Sequence, residues 1–111
     1  SAINAARLNG STWAALTDSS TSLNGTNNEI RSMAVDENNI LYVGGNFGLA
    51  GGVTVNSIAQ WNGTNWSGLG TGTTGFVETI TVTPYYIYAG GIFPRQVALQ
   101  SIGLPDIVER V

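Results

Sequence analysis

The sequence predicts an all-β fold built from two copies of one four-stranded antiparallel unit. Short segments rich in Val, Ile, Thr, Tyr and Trp alternate with stretches that contain Gly, Asn and Pro, as in strands joined by turns. One sequence unit recurs along the chain, which is the mark of a repeat architecture. No helical apolar period appears before the last residues, where Pro105 predicts a short helix through Val111.

The repeat accounts for most of the chain. The corresponding segments are 6–16 with 59–69, 30–35 with 77–82, and 41–47 with 87–93. In the first pair, ARLNGSTWAAL returns as AQWNGTNWSGL, with Asn-Gly, Trp and Leu in register. The connectors differ in length, since residues 17–29 number 13 and residues 70–76 number seven. Length changes confined to connectors are what a repeat of packed elements predicts.

One complete unit contains four predicted strands. They are residues 30–35, 40–45, 56–61 and 65–69. Asn38-Asn39 predicts a tight hairpin turn between the first two strands, and Asn62-Gly63 predicts another between the last two. The double glycines Gly44-Gly45 and Gly90-Gly91 are expected where strands and neighbouring units approach closely.

Three segments of this unit carry a family resemblance. They are Leu41-Tyr42-Val43-Gly44-Gly45, Ile58-Ala59-Gln60-Trp61 and Trp66-Ser67-Gly68-Leu69. Together they resemble the kelch-type repeat of β-propellers, in which a double glycine follows an apolar strand and precedes an aromatic residue and a Trp. They are also similar to repeats of large secreted bacterial propellers with Trp-Asn-Gly and Tyr-x-Gly-Gly-x-Phe signatures. The resemblance covers residues 3–93, although Leu8 replaces the first aromatic residue in one copy. It implies four-stranded blades, and it implies no one function because propellers host many.

Residues 1–111 are predicted to form a single unit that is out of phase with the blades. It consists of a half-blade (3–16), a full blade (30–69), a second half-blade (77–93) and an atypical C-terminal tail (94–111). Two blades cannot close a ring, so the chain is either a fragment or a protomer that closes by homo-oligomerisation. A trimer with six blades is the favoured assembly.

The half-blades predict how such a ring would close. We expect residues 1–16 to pair with residues 77–91 of another chain, because an unpaired sheet edge promotes association. Alternatively, the atypical segment 96–102 supplies the third strand in place of a neighbour.

Composition excludes several partners and chemistries. The net charge is −3 with only four scattered Arg, which predicts no binding to nucleic acid or to an anionic membrane. No apolar run is long enough to span a bilayer. The absence of Cys and His removes the thiolate and imidazole groups that serve in many metal and catalytic sites. The lack of Lys, with abundant Asn, Thr and Gly, favours a secreted or cell-surface protein.

Two motifs suggest ligands but fit turns better. Gly70-x-Gly72-x-x-Gly75 has the spacing of a dinucleotide-binding loop, whose mechanism needs a following helix, whereas a strand is predicted here. Asp36-Glu37-Asn38-Asn39 lacks the alternating oxygen ligands and distal Glu of a calcium loop. We therefore predict no catalytic, cofactor-binding or metal-binding residues, and no cofactor.

Aromatic residues recur at corresponding positions of the repeat. The pairs are Trp13 with Trp66, Tyr42 with Tyr88, and Phe47 with Phe93. Recurrence at the blade period predicts core packing between blades, with Trp13 and Trp66 buried in equivalent environments. The alternative is a surface on which carbohydrate stacks.

Arg31 and Glu78 also occupy the same repeat position, with opposite charge. In a six-bladed ring the first strands of the blades would line the axis, so these two residues would alternate as an axial pair. The alternative is that both point into loops at the rim and never meet.

The predicted function is that of a non-enzymatic binding or interaction module that assembles with itself. Its further ligand is a carbohydrate or a protein, which the sequence does not identify. Two alternatives are an enzyme whose site is assembled between protomers, and a structural propeller fragment without its own ligand.

Overall fold

A computed structural model describes residues 3–73, 75–92, 97–101 and 107–110. Its sheets are antiparallel, which confirms the predicted all-β class. The strands are β1 (Ala6–Asn9), β2 (Thr12–Ala15), β3 (Ile30–Val35), β4 (Leu41–Gly45), β5 (Leu49–Ala50), β6 (Val53–Thr54), β7 (Ile58–Trp61), β8 (Trp66–Gly68), β9 (Phe76–Val82), β10 (Tyr86–Ile92), β11 (Val97–Ser101) and β12 (Ile107–Arg110). Within these ranges no helix is long and apolar enough to cross a membrane.

The central sheet is formed by β3, β4, β7 and β8 in that order. These are the four strands that the repeat predicts, each within two residues of its predicted bounds. The turn between β3 and β4 is the predicted hairpin: Asp36 Oδ1 accepts the amides of Asn38 (2.8 Å) and Ile40 (3.0 Å), and Asn39 has a φ of 63°. In the turn between β7 and β8, Asn62 Oδ1 accepts the amide of Asn65 at 2.8 Å.

A second four-stranded sheet has the order β9, β10, β11, β12. The expected helix after Pro105 is wrong for residues 107–110, which form β12. The β-branched Ile107 and Val108 suit a strand, and β12 finds a ladder partner in β11. The third strand of this sheet is β11, so the alternative in which residues 96–102 supply it is the pairing observed. Phe93 and Pro105 lie outside the described residues.

The N-terminal half-unit forms a two-stranded sheet of β1 and β2. The structure also contains a short hairpin that the sequence analysis did not predict, β5–β6, inserted between β4 and β7. Buried Ala50 of this hairpin forms an isolated bridge with Thr26. This bridge ties the insertion to the connector that follows β2.

Each face of the central sheet contributes side chains to a core cluster, because successive side chains of a strand point to opposite faces. Val43 belongs to a core cluster on the side of β1–β2, and Tyr42 belongs to a second cluster on the side of β9–β10. The first cluster comprises Ala5, Leu16, Val43, Phe47, Ala50, Val55, Ala59, Trp61 and Trp66. The second comprises Tyr42, Ile58, Leu69, Val77, Ile80, Ile87 and Ala89. The central sheet therefore lies between the β1–β2 hairpin and the sheet that begins with β9.

Gly44 sets how closely the two large sheets approach. A Cβ atom at this position would overlap the side chains of Val77 and Ile80 on β9. The close approach predicted at the first double glycine is confirmed. Gly44 lies against the neighbouring sheet, and Gly45 lies against the backbone of residues 29–31 beside it.

Candidate functional site

The first strands of the two large sheets meet at Arg31 and Glu78. Arg31 Nη1 donates to Glu78 Oε1 at 2.9 Å, and Nη2 donates to Glu29 Oε1 at 2.9 Å. The hydrogen bond and negative charge of Glu29, followed by the charge of Glu78, raise the pKa of Arg31. The two predicted residues therefore pair within one chain, and the alternative in which they never meet is wrong. Their position around a ring axis stays a prediction.

A second contact joins the same two strands, one residue further along β3 and two residues further along β9. The backbone amide of Ile80 donates to Ser32 Oγ at 3.0 Å. Ser32 corresponds in the repeat to Thr79, the residue immediately before Ile80. Residues at nearly the same repeat position thus contact each other across the two sheets.

The other junction is built on Asp18, a buried carboxylate in the connector after β2. It accepts the Trp66 amide at 2.7 Å, the Ser20 hydroxyl at 2.6 Å and the Ser20 amide at 2.8 Å. Hydrogen bonds from the Ser20 side chain and the Trp66 amide hold the pKa of Asp18 well below its usual range. Sequence analysis missed this residue, although Asp followed by Ser-Ser-Thr is typical of a turn in which the carboxylate accepts backbone amides.

Trp66 completes this junction from the side of the central sheet. Its indole Nε1 donates to the Leu16 carbonyl at 2.8 Å, and its amide bonds to Asp18. Leu16 and Asp18 lie 50 and 48 residues before Trp66, and Arg31 lies 47 residues before Glu78. Both junctions therefore connect residues that lie about one repeat apart in the sequence.

Trp13 corresponds to Trp66 in the repeat but has a different environment. Trp66 is 3% exposed, whereas Trp13 is 67% exposed. The prediction that both indoles are buried equivalently is therefore wrong for the single chain. Residues 16–18 of the preceding half-unit cover Trp66, whereas no described part of the chain plays that role for Trp13.

The same contrast appears on β3, whose free face points towards the side of β1–β2. Met33 is 49% exposed, while its counterpart Ile80 is 8% exposed and packs against the central sheet. Val35 is also exposed, and its counterpart Val82 is partly buried in the same cluster. The N-terminal end of the chain therefore exposes apolar side chains at repeat positions that are buried or partly buried in the next unit. We call Leu8, Trp13, Met33 and Val35 the leading face.

At the opposite end of the chain the second copy of a repeat position is the exposed one, as Tyr88 shows. Its counterpart Tyr42 is 4% exposed and donates its hydroxyl to Asp36 Oδ2 at 2.9 Å. Burial and this bond raise the pKa of Tyr42. Tyr88 is 42% exposed, beside Tyr86 on the outer side of β10 with ring centroids 5.9 Å apart. We call Tyr86, Tyr88 and Gly90 the trailing face.

A groove of about 500 Å³ opens between β1 and the central sheet. Its lining is mostly apolar and includes Ala5, Met33, Val35, Leu41 and Trp61. Arg7 of β1 is the one charged side chain among the residues that line it.

The two motifs that suggested ligands are turns. The glycine-rich segment leads into β9, a strand, so it lacks the helix that a dinucleotide loop requires. Asp36 uses its carboxylate within its own hairpin and on Tyr42. The described residues contain no group of three or more Asp or Glu side chains that could hold a metal ion. Comparison with models of known protein families, with curated proteins and with solved structures gives no match.

Proposed function

We propose that this chain is a non-enzymatic interaction module of β-propeller type that works by assembling with copies of itself. Its leading face is complementary to its trailing face, and the assembled module presents its turns to a carbohydrate or a protein. The kelch-like residues in each repeat support blade-like units, since they recur in both copies.

One observation carries this proposal. Each exposed apolar residue compared across the two ends has a repeat counterpart that the neighbouring unit buries, as in Met33 and Ile80, Trp13 and Trp66, and Tyr88 and Tyr42. A surface that already packs once within the chain is suited to pack again between chains. Because the faces differ, the contact is head-to-tail, and such a contact generates a closed ring when its rotation is suitable.

A trimer with six blades is the ring we propose. Stacking in one orientation would bring Arg31 of each chain next to Glu78 of its neighbour, as it already lies next to Glu78 of its own chain. The charges would then alternate around the ring and neutralise one another. Burial of the apolar leading face would supply most of the stabilisation, since exposed ion pairs contribute little.

The test is the mass of the protein in solution, measured by light scattering over a wide concentration range. We expect three times the mass of the chain, and a monomer at every concentration would contradict the ring. Met33→Glu should dissociate the assembly, because it places a carboxylate in a surface that must lose its water. Leu49→Glu is the matched control: Leu49 is also an exposed apolar residue, but it does not line the groove.

A further inference from the structure

The edge of β1 that faces away from β2 has no strand beside it within the described residues. In the repeat, β1 and β2 correspond to β7 and β8, and β7 is paired with β4 on its other edge. A strand paired with the open edge of β1 would therefore take the position that β4 takes beside β7. A further strand beside it would take the position of β3. An open strand edge of this kind is a template for pairing with another chain.

The groove lies along this open edge. Ala5, Ala6 and Arg7 border it on one side, and Met33 and Val35 border it on the other. The counterparts of Met33 and Val35 in the second repeat, Ile80 and Val82, belong to the cluster that β4 helps to form. The groove is thus an apolar site for a β-hairpin that resembles β3–β4.

The chain itself contains a second hairpin of that kind. We propose that the β9–β10 hairpin of a second copy occupies this groove and adds its β10 to β1 as an antiparallel strand. This inference rests on the proposed self-assembly and names the segment that carries it. Applying the β4–β7 register to the corresponding residues pairs Tyr88 with Arg7 and Ala89 with Ala6.

The side chains of that hairpin match the groove. In this register Tyr88 and Gly90 of the second copy face Met33, as Tyr42 and Gly44 face Ile80 within one chain. Gly90 corresponds to Gly44, whose missing side chain permits the close approach of the sheets. Glu78 of the second copy comes beside Arg31, so the charges are also complementary.

Docking requires a strand exchange, because β11 holds the same edge of β10 within one chain. The present register pairs Tyr88 with Leu99 and extends over four residue pairs, as the β4–β7 register does. The backbone hydrogen bonds lost from β11 are therefore replaced by bonds to β1. Burial of the apolar groove is the additional gain that favours the exchange.

Disulfide trapping tests the register, since the natural sequence contains no cysteine. An Arg7→Cys chain and a Tyr88→Cys chain are refolded together from urea and oxidised, and the mixed disulfide is measured by mass spectrometry. Directly opposite residues of antiparallel strands lie within disulfide distance. The matched control is Leu8→Cys with Tyr88→Cys, because Leu8 is one residue further along β1 and points to the opposite face. We expect about tenfold more mixed disulfide with Arg7→Cys than with Leu8→Cys, and equal yields would overturn the proposal.

A lock on the competing pairing gives an independent readout. In the double variant Tyr88→Cys/Leu99→Cys, oxidation ties β11 to β10 and should convert the assembly into a monomer, which reduction reverses. If the locked protein keeps the assembled mass, whole faces stack without strand exchange: this inference and the count of six blades are then overturned, while self-assembly through the leading and trailing faces stands. If the unmodified protein is monomeric at every concentration, both are overturned.

Discussion

The backbone amide of Trp66 donates a hydrogen bond of 2.7 Å to the carboxylate of Asp18, 48 residues earlier in the chain. This bond joins the connector of one unit to the first residue of β8 in the next. Ser20 and Thr21 donate to the same carboxylate, so its negative charge is solvated by protein groups in place of water. Asp18 is therefore the residue on which most side-chain hydrogen bonds of this junction converge.

Replacing this residue should weaken the fold selectively. Asp18→Asn keeps the size of the side chain but turns one acceptor oxygen into an NH₂ group that faces N–H and O–H donors. We expect a lower urea midpoint, measured by tryptophan fluorescence. Glu37→Gln, in the exposed turn after β3, is the control and should leave the midpoint unchanged; equal effects of the two variants would contradict the role of Asp18.

The same residue predicts a pH dependence of stability. The folded-state pKa of Asp18 is depressed, so the ionised carboxylate stabilises the fold. This contribution is complete above the unfolded pKa of about 4 and is lost as the pH falls through the lower, folded pKa. The urea midpoint should therefore fall more steeply between about pH 5 and pH 2 in the natural protein than in Asp18→Asn. Parallel curves would show that Asp18 is not responsible.

The two tryptophans of the repeat provide a matched pair of substitutions. Trp66→Ala should cost about 3–5 kcal/mol in the free energy of unfolding, since it removes a large buried side chain. Trp13→Ala should leave the stability of the monomer nearly unchanged, because the indole is exposed there, but should weaken self-association. Urea unfolding at low concentration measures the first effect and concentration-dependent light scattering the second. A large loss of monomer stability in Trp13→Ala would show that its exposure is misassigned.

Gly44 permits a test of the contact between the large sheets. Gly44→Ala forces a methyl group against Val77 and Ile80, and overpacking of this kind costs about 1–3 kcal/mol. Gly48→Ala is the control, because a Cβ atom there meets no atom within 4 Å. Thermal or urea unfolding measures the stability of both variants, and we expect a loss in Gly44→Ala only. Unaltered stability in Gly44→Ala would contradict the close approach of the sheets.

Reversing the charge of Glu78 tests the axial arrangement. Glu78→Arg replaces the partner of Arg31 with a second cation, so a ring in which these positions alternate would carry one sign only. The assembly should loosen at low ionic strength and recover with salt, which screens charges over about 10 Å at 0.1 M. Glu37→Arg, in an exposed turn, is the matched control. An unchanged assembled mass of Glu78→Arg in low salt would contradict the axial pairing.

Much of the local structure could be predicted from the sequence because it depends on neighbouring residues. The strands of the full repeat follow from their β-branched and aromatic residues, and the turn at Asp36–Asn39 follows from side chains that bond their own backbone. The double glycine at Gly44 also predicted a close approach between strands, but the sequence did not show which strand lies against it. The repeat spacing identified Arg31 and Glu78 as related residues before their contact was known.

What only the tertiary structure decided is which side chains are covered. Trp13 and Trp66 share similar local sequences, yet their exposure differs because Leu16, Asp18 and the turn at Gly51 lie against Trp66. Residues 107–110 form a strand because β11 offers hydrogen bonds to that segment, a partner that local sequence does not reveal. The sequence by itself thus determined the strands of the full repeat and their repetition, through short-range propensity. The pairing of edges and the burial of faces depended on segments far away in the chain, and these contacts define the two faces proposed here for assembly.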